Sequence, residues 1–262
     1  MPGITRSTLI SVAVPSEHGG WSLTLEPALL AILVAPSVGG AALAIAGLLV
    51  FLIRTPLKLA LVDQRRGRHL ERSLLARRVV GVELLLLACA LGVAIVASSQ
   101  QFWWPFVVAS PMAAVEIWYD IRSRSRRLTP ELMGAVGVGS IAAAIALAGG
   151  ESNTVAAGLW CVVAARAVAT IPFVRVQLRR AKGQALHRSS SDLAQAVALG
   201  VVLVGWALDA VPVAAVLAIA VLGLVQLVLS RARPPTAAVV GAQQVGLGLG
   251  VVLTAALGFM AP

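Results

Sequence analysis

The feature that most constrains the fold of this chain is a succession of apolar stretches, each close to the length that crosses a lipid bilayer. A transmembrane helix needs about 20 largely apolar residues. We predict nine such helices, at 20–36, 39–63, 79–98, 102–120, 130–149, 154–176, 191–208, 211–230 and 236–259. The connections between them are too short to form a separate core. The sequence therefore predicts an all-α fold, a polytopic membrane protein in which residues 1–262 form a single bundle of about nine transmembrane helices.

The composition favours a lipid environment over an aqueous one. Of the 262 residues, 59% are hydrophobic and only 12% are charged, whereas soluble domains carry about 25% charged residues. In a soluble protein, the formal net charge of +10 would suggest a nucleic-acid partner. Here it is better explained by the enrichment of Lys and Arg on the cytoplasmic side of membrane proteins. We therefore expect the lipid bilayer as the partner, and no nucleic acid.

Basic residues alternate with the predicted helices. The connections after helices 2, 4, 6 and 8 hold most of the 21 Lys and Arg residues, whereas those after helices 1, 3, 5 and 7 are short and uncharged or acidic. Cytoplasmic loops carry an excess of Lys and Arg. This alternation predicts a multi-pass protein whose segment 1–19 and basic loops face the cytoplasm. Nine crossings then place Ala261 and Pro262 outside.

Ionisable residues within the predicted helices are the first candidates for function, because a charge inside a bilayer is costly. They are Glu26, Arg54, Lys58, Glu83, Glu116 and Arg166. Most of them lie within about two helical turns of the predicted cytoplasmic ends, so the polar groups follow the inner half of the bundle. This distribution predicts a basic cavity that is open to the cytoplasm or the inner leaflet.

Spacing groups several of the basic residues on shared helix faces. Arg54 and Lys58 are four residues apart and lie on one face of helix 2. That helix ends near Asp63, a further candidate ligand-binding residue. Arg175 and Arg179 have the same spacing at the inner end of helix 6.

We expect Arg54, Lys58 and Arg166 to converge on the cavity. The carboxylates available at that depth, Glu26 and Glu116, would leave an excess of positive charge for an anionic ligand.

Simpler roles are available for some of these side chains. Lys58 and Glu83 could extend to the membrane interface. Glu26 or Glu116 could pair with Arg54 or Arg166 and only fix helix packing. The basic loops could set topology without binding phosphate.

The segment from Pro15 to Pro27 reads PSEHGGWSLTLEP. Its His18-Gly19-x-Trp21 core and Pro27 resemble the opening signature of the YwiC-like membrane proteins, a bacterial family. The resemblance implies a bacterial cytoplasmic (inner) membrane. His18 stands beside two glycines that could bring the backbone close to a ligand, and it is a candidate ligand-binding residue. An ordinary interfacial histidine is the alternative.

The architecture is also similar to that of the UbiA-type intramembrane prenyltransferases, which have nine helices and long loops after helices 2 and 6. In that superfamily, aspartate-rich motifs in those loops bind two magnesium ions and a prenyl diphosphate. The resemblance implies a UbiA-like fold and, if the chain is an enzyme, a prenyltransferase-like reaction.

This chain departs from the aspartate-rich pattern. The first motif position, 58–68, contains one aspartate, Asp63, and the second, 175–183, contains none. Magnesium bound between protein and diphosphate needs carboxylate ligands. We therefore predict no metal site, no cofactor and no magnesium requirement. Arg175 and Arg179 could instead bind phosphate directly.

Three functions remain open at this point. The first is a transferase acting on a lipid or prenyl (di)phosphate, in which Glu26 or Glu116 is the catalytic acid or base and the basic residues hold an isoprenoid or anionic lipid. The second is a non-catalytic lipid- or quinone-binding protein, or an assembly protein for a respiratory complex. The third is a small anion transporter, which ranks last because the sequence has no convincing internal repeat.

The predicted topology can be tested by labelling cysteines in intact cells. In a background without Cys89 and Cys161, a cysteine placed in the 149–153 loop should react with a membrane-impermeant maleimide, because that loop faces outward. A cysteine placed near Arg124 should react only after the cells are permeabilised. If the cysteine near Arg124 reacted in intact cells and the one in the 149–153 loop did not, the true orientation would be the reverse of the predicted one.

Overall fold

The structure, a computed structural model, describes residues 12, 18–65, 67, 71–122, 127–184 and 188–261. Within these described residues, nine α-helices lie between His18 and Met260, one for each predicted stretch. They are α1 (His18–Val34), α2 (Val38–Arg65), α3 (Glu71–Ala97), α4 (Trp104–Ile121), α5 (Leu128–Ala148), α6 (Asn153–Ala181), α7 (Ser189–Ala207), α8 (Val213–Arg231) and α9 (Ala237–Met260). The prediction of an all-α fold is confirmed.

Seven of these nine helices are long and apolar enough to cross a membrane. In α1 the apolar part, Trp21–Val34, is shorter. The other exception is α4, which has 18 residues. Its prolines at 105 and 111, together with Glu116 and Asp120, lower its mean hydropathy, so it is not one of the seven. The protein is therefore a multi-pass membrane protein.

Two helices are longer than predicted, because polar contacts stabilise their ends. α3 begins at Glu71 rather than near residue 79, since the carboxylate of Asp63 accepts hydrogen bonds from Arg72 (3.2 Å) and from Ser73 (2.6 Å). α6 continues to Ala181. There Gln177 donates to the backbone oxygen of Leu229 at 2.8 Å, and Arg180 donates to backbone oxygens at the end of α8.

The centre of the bundle is formed by α5 and α6. α5 packs against α1, α2, α4 and α6, and α6 packs against α1, α7, α8 and α9. In α5 every residue from Ser140 to Ala148 is buried, and five of the nine are alanine. Small side chains allow helices to approach closely in a membrane, where packing drives association. α3, in contrast, packs along α2 and exposes Leu85, Val96 and other apolar side chains.

Hydrogen bonds join two connections that the charge pattern places on one side of the membrane. The backbone N–H of Ser99, after α3, donates to the oxygen of Ala148 at 2.9 Å, and the side chain of Gln100 donates to the oxygen of Gly150 at 2.7 Å. The Trp104 indole donates to Asn153 at 2.8 Å. The connections after α3 and α5 therefore lie at the same end of the bundle. Which side of the membrane that end faces stays a prediction.

Candidate functional site

A cavity of about 840 Å³ lies between α1, α6 and α9, near the start of α5. Most of its wall is apolar, from residues such as Leu23, Ile171 and Val174. Its polar lining residues are Ser22, Glu131, Arg166, Thr170, Arg175 and Gln244. The helix ends that surround it belong to the basic side of the bundle, because α9 starts just after Arg231 and Arg233 and α6 ends at Arg179 and Arg180. The cavity volume falls in the range of small-molecule sites.

Arg166 forms the deep end of the cavity, near the middle of α6. Its side chain is 4% exposed, and one guanidinium nitrogen lies 3.3 Å from Oε1 of Glu26 on α1. The same nitrogen donates to the backbone oxygen of Gln244 on α9 at 2.8 Å, and the other terminal nitrogen donates to the Thr170 hydroxyl. A buried charge is tolerated when it is paired and hydrogen-bonded in this way. One side chain thus links α1, α6 and α9.

Glu26 is equally enclosed. It is 6% exposed, and the hydroxyl of Ser22, one turn earlier on α1, donates to its carboxylate. On the opposite side lies Gly248 of α9. A Cβ atom at Gly248 would overlap Oε1 of Glu26 and would lie 2.7 Å from the Arg166 guanidinium. The glycine therefore leaves the space that the ion pair occupies.

The mouth of the cavity has a second ion pair. Arg175 of α6 donates to Oε2 of Glu131 on α5 at 2.7 Å. Both side chains are partly exposed, at 22% and 34%. Nine residues of helix separate Arg166 from Arg175, which is about 13 Å along the axis. The cavity is therefore apolar along its length and has an ion pair at each end.

Arg54 and Lys58 belong to a different cluster, between α2 and α4. Arg54 pairs with Glu116 at 2.7 Å and with Asp120 at 3.0 Å, and Lys58 lies 3.5 Å from Asp120. The Glu116 carboxylate rests against Gly134 of α5, where a Cβ atom would lie 2.6 Å away. The two basic side chains are about 40% exposed.

The predicted convergence of Arg54, Lys58 and Arg166 on one cavity is therefore wrong for the described residues. Arg166 lines the cavity, and Arg54 and Lys58 do not. The physical reason is that α2 packs against α1, α3 and α5, so that α1 and α5 lie between α2 and α6. Arg54 and Lys58 pair with carboxylates of α4, whereas Arg166 pairs with Glu26 of α1.

The expected excess of positive charge is also absent from these clusters. The prediction set Glu26 and Glu116 against three bases, without Asp120 and Glu131 as partners. With Asp120 included, three carboxylates face Arg54, Lys58 and Arg166. The two carboxylates of α4, at 116 and 120, are four residues apart, as are the two bases of α2. This matching spacing was the available signal that the two helices pair through these side chains.

Two of the remaining predicted site residues, Asp63 and Arg179, do not line the cavity. Asp63 is 2% exposed and holds the start of α3 through Arg72 and Ser73. Arg179 is exposed near the end of α6. His18 begins α1, and its side chain lies outside the described residues. In the described part of the chain, no group of three or more His, Cys, Asp or Glu side chains could hold a metal ion. The absence of a magnesium requirement stays a prediction.

Three buried glutamines beside the cavity were not among the predicted site residues. Gln195 of α7, Gln226 of α8 and Gln244 of α9 form consecutive hydrogen bonds of 2.9 and 3.0 Å. The prediction rested on ionisable residues, although a neutral amide within a membrane helix also needs a partner. The available signal was that each of the last three apolar helices contains glutamine, one in α7, one in α8 and two in α9.

The fold and the cavity define a polytopic α-helical membrane protein with a largely apolar internal site. The family profile described as YwiC-like protein matches residues 14–146, just over half of the chain. The chain belongs to the YwiC-like family, as its N-terminal signature predicted. No curated protein and no solved structure matches the chain. Similarity to the UbiA-type fold stays a prediction.

The packing of Gly248 against the ion pair can be tested with a matched pair of alanine substitutions. Gly248→Ala should lower the apparent melting temperature in detergent by about 3 °C or more, because the methyl group separates Glu26 from Arg166 at a cost of at least about 1 kcal/mol. Gly246→Ala, on the same helix, meets no atom within 4 Å and should not lower the melting temperature. Equal melting temperatures for the two variants would mean that α9 does not pack on the pair.

Proposed function

We propose that this protein binds an amphiphilic membrane lipid or an isoprenoid quinone in the cavity between α1, α6 and α9, without transferring a prenyl group. The observation that carries the proposal is a deep, mostly apolar cavity whose two lining arginines each have a carboxylate partner. Apolar walls with a few fixed polar groups are typical of sites for small apolar ligands.

The surroundings of the cavity suit a ligand that arrives from the bilayer. Gly241 and Ala242 of α9 line the cavity and are exposed, and Val245 is 47% exposed. The α9 side of the cavity is therefore bordered by exposed small or apolar residues. On this side a hydrocarbon chain can extend from the cavity into lipid without passing a charged side chain.

A prenyl diphosphate fits this cavity less well. Its negative charge would need cations, and Arg166 and Arg175 already interact with Glu26 and Glu131. Bringing a second anion to either pair would place two negative groups on one guanidinium in a medium of low dielectric. The same argument disfavours transport of a small anion through this cavity.

Filling the cavity tests the proposal. The Cβ position of Gly241 is open, so that Gly241→Phe should place an aromatic ring in the cavity without a backbone clash. Gly246→Phe is the matched control, because it adds the same ring to an open position of the same helix outside the cavity lining. We expect one lipid or quinone per wild-type chain, the same for Gly246→Phe, and at least about a tenfold lower occupancy for Gly241→Phe.

Occupancy would be measured by native mass spectrometry after extraction in mild detergent, with added decylubiquinone as a defined probe. Equal occupancy in the wild type, Gly246→Phe and Gly241→Phe would mean that the ligand binds outside this cavity. No bound lipid and no bound decylubiquinone in the wild type would overturn the proposed function.

A further inference from the structure

Two buried N–H donors at the deep end of the cavity have no hydrogen-bond partner among the described residues. They are Nε of Arg166 and Nε2 of Gln244. Both residues line the cavity, and they are 3% and 6% exposed. A donor buried without a partner is destabilising, and such groups are rare in native proteins. Both donors belong to residues that line the same cavity, which points to a ligand that accepts hydrogen bonds.

The buried glutamines determine that Gln244 presents a donor rather than an acceptor. The amide nitrogen of Gln195 donates to the backbone oxygen of Ala169 at 2.9 Å. Because a carbonyl oxygen can only accept, this bond fixes the orientation of the first amide. The same nitrogen donates to Oε1 of Gln226, which orients the second amide.

The second amide then orients the third. The nitrogen of Gln226 donates to Oε1 of Gln244 at 3.0 Å. The amide nitrogen of Gln244 is therefore the end of a chain of hydrogen bonds whose direction is set on α6 and carried through α7 and α8. An acceptor in the cavity would complete this chain.

The two donors belong to residues that are in direct contact. A terminal nitrogen of Arg166 donates to the backbone oxygen of Gln244 at 2.8 Å, so the guanidinium lies beside the turn of α9 that carries the Gln244 side chain. A carbonyl oxygen has two lone pairs and can accept two hydrogen bonds at once. An anionic oxygen is disfavoured, because the Glu26 carboxylate already occupies the other side of Arg166.

We infer that the ligand places an uncharged, quinone-like carbonyl oxygen between Nε of Arg166 and Nε2 of Gln244, with its hydrocarbon chain toward Val174 and Leu178. This inference rests on the proposed function and specifies the chemistry of the head group. The chain direction follows from the apolar residues that continue along α6 toward the mouth of the cavity.

Removing one donor tests the inference. Gln244→Met keeps the shape of the side chain and removes the N–H group, while the amide nitrogen of Gln226 keeps the Thr170 hydroxyl as an acceptor at 3.3 Å. Gln243→Met is the control, since Gln243 is the neighbouring glutamine and does not line the cavity. Decylubiquinone should bind about tenfold more weakly to Gln244→Met than to the wild type and the control, as expected for one buried hydrogen bond.

Infrared difference spectroscopy with carbonyl-labelled decylubiquinone supplies a readout that a general loss of folding would not produce. In the wild type, the labelled carbonyl band should shift to lower frequency than in empty detergent micelles, because two donors weaken the C=O bond. The shift should be smaller at saturating probe in Gln244→Met and unchanged in Gln243→Met. Farnesyl phosphate, with an anionic head, should bind more weakly than decylubiquinone.

Two results would overturn the inference while leaving the proposed function intact. One is equal affinity and an equal band position in the two methionine variants, with binding still lost in Gly241→Phe. The other is tighter binding of farnesyl phosphate than of decylubiquinone, again dependent on Gly241. Failure of every probe to bind, together with no co-purified lipid, would instead reject the proposed function itself.

Discussion

The ion pair between Glu26 and Arg166 is the interaction on which the arrangement of α1, α6 and α9 depends. A guanidinium near the middle of a membrane helix cannot face acyl chains without a cost of at least about 2.5–3.5 kcal/mol. The pair avoids that cost, because Thr170, Ser22 and the backbone of Gln244 supply further hydrogen bonds. Breaking such a buried pair from one side leaves an uncompensated charge, which typically costs about 3–5 kcal/mol.

Arg166 of this pair lines the cavity. It uses its two terminal nitrogens for Glu26, Thr170 and Gln244, and its Nε has no hydrogen-bond partner among the described residues. The family match, at 14–146, contains α1 and nearly all of α5, whereas Arg166 and Gln244 lie beyond it. The cavity therefore forms where the family-defining part of the chain meets α6 and α9.

The sequence predicted the helices well because a bilayer imposes a length and a composition on each crossing segment. It placed the start of α3 about eight residues late, since the first turns of that helix are held by Asp63, Arg72 and Ser73 rather than by apolar residues. Arg166, which was predicted to line a cavity, does line one. That the polar groups lie in the inner half of the bundle stays a prediction. Helical spacing identifies which residues share a face, but it contains no information about which helix lies opposite. That is why Arg54 was grouped with Arg166, and why Asp120, Glu131 and Gln244 were missed as partners.

The most direct test of this account is a double-mutant cycle between Glu26→Gln and Arg166→Met, with unfolding free energies measured by denaturant titration in detergent or bicelles. If the two side chains form a buried pair, each single substitution is strongly destabilising, and the double variant is more stable than the sum of the two losses predicts. We expect a coupling energy of about 2 kcal/mol or more. Additive losses, with a coupling energy near zero, would show that Glu26 and Arg166 do not interact and would contradict the cavity described here.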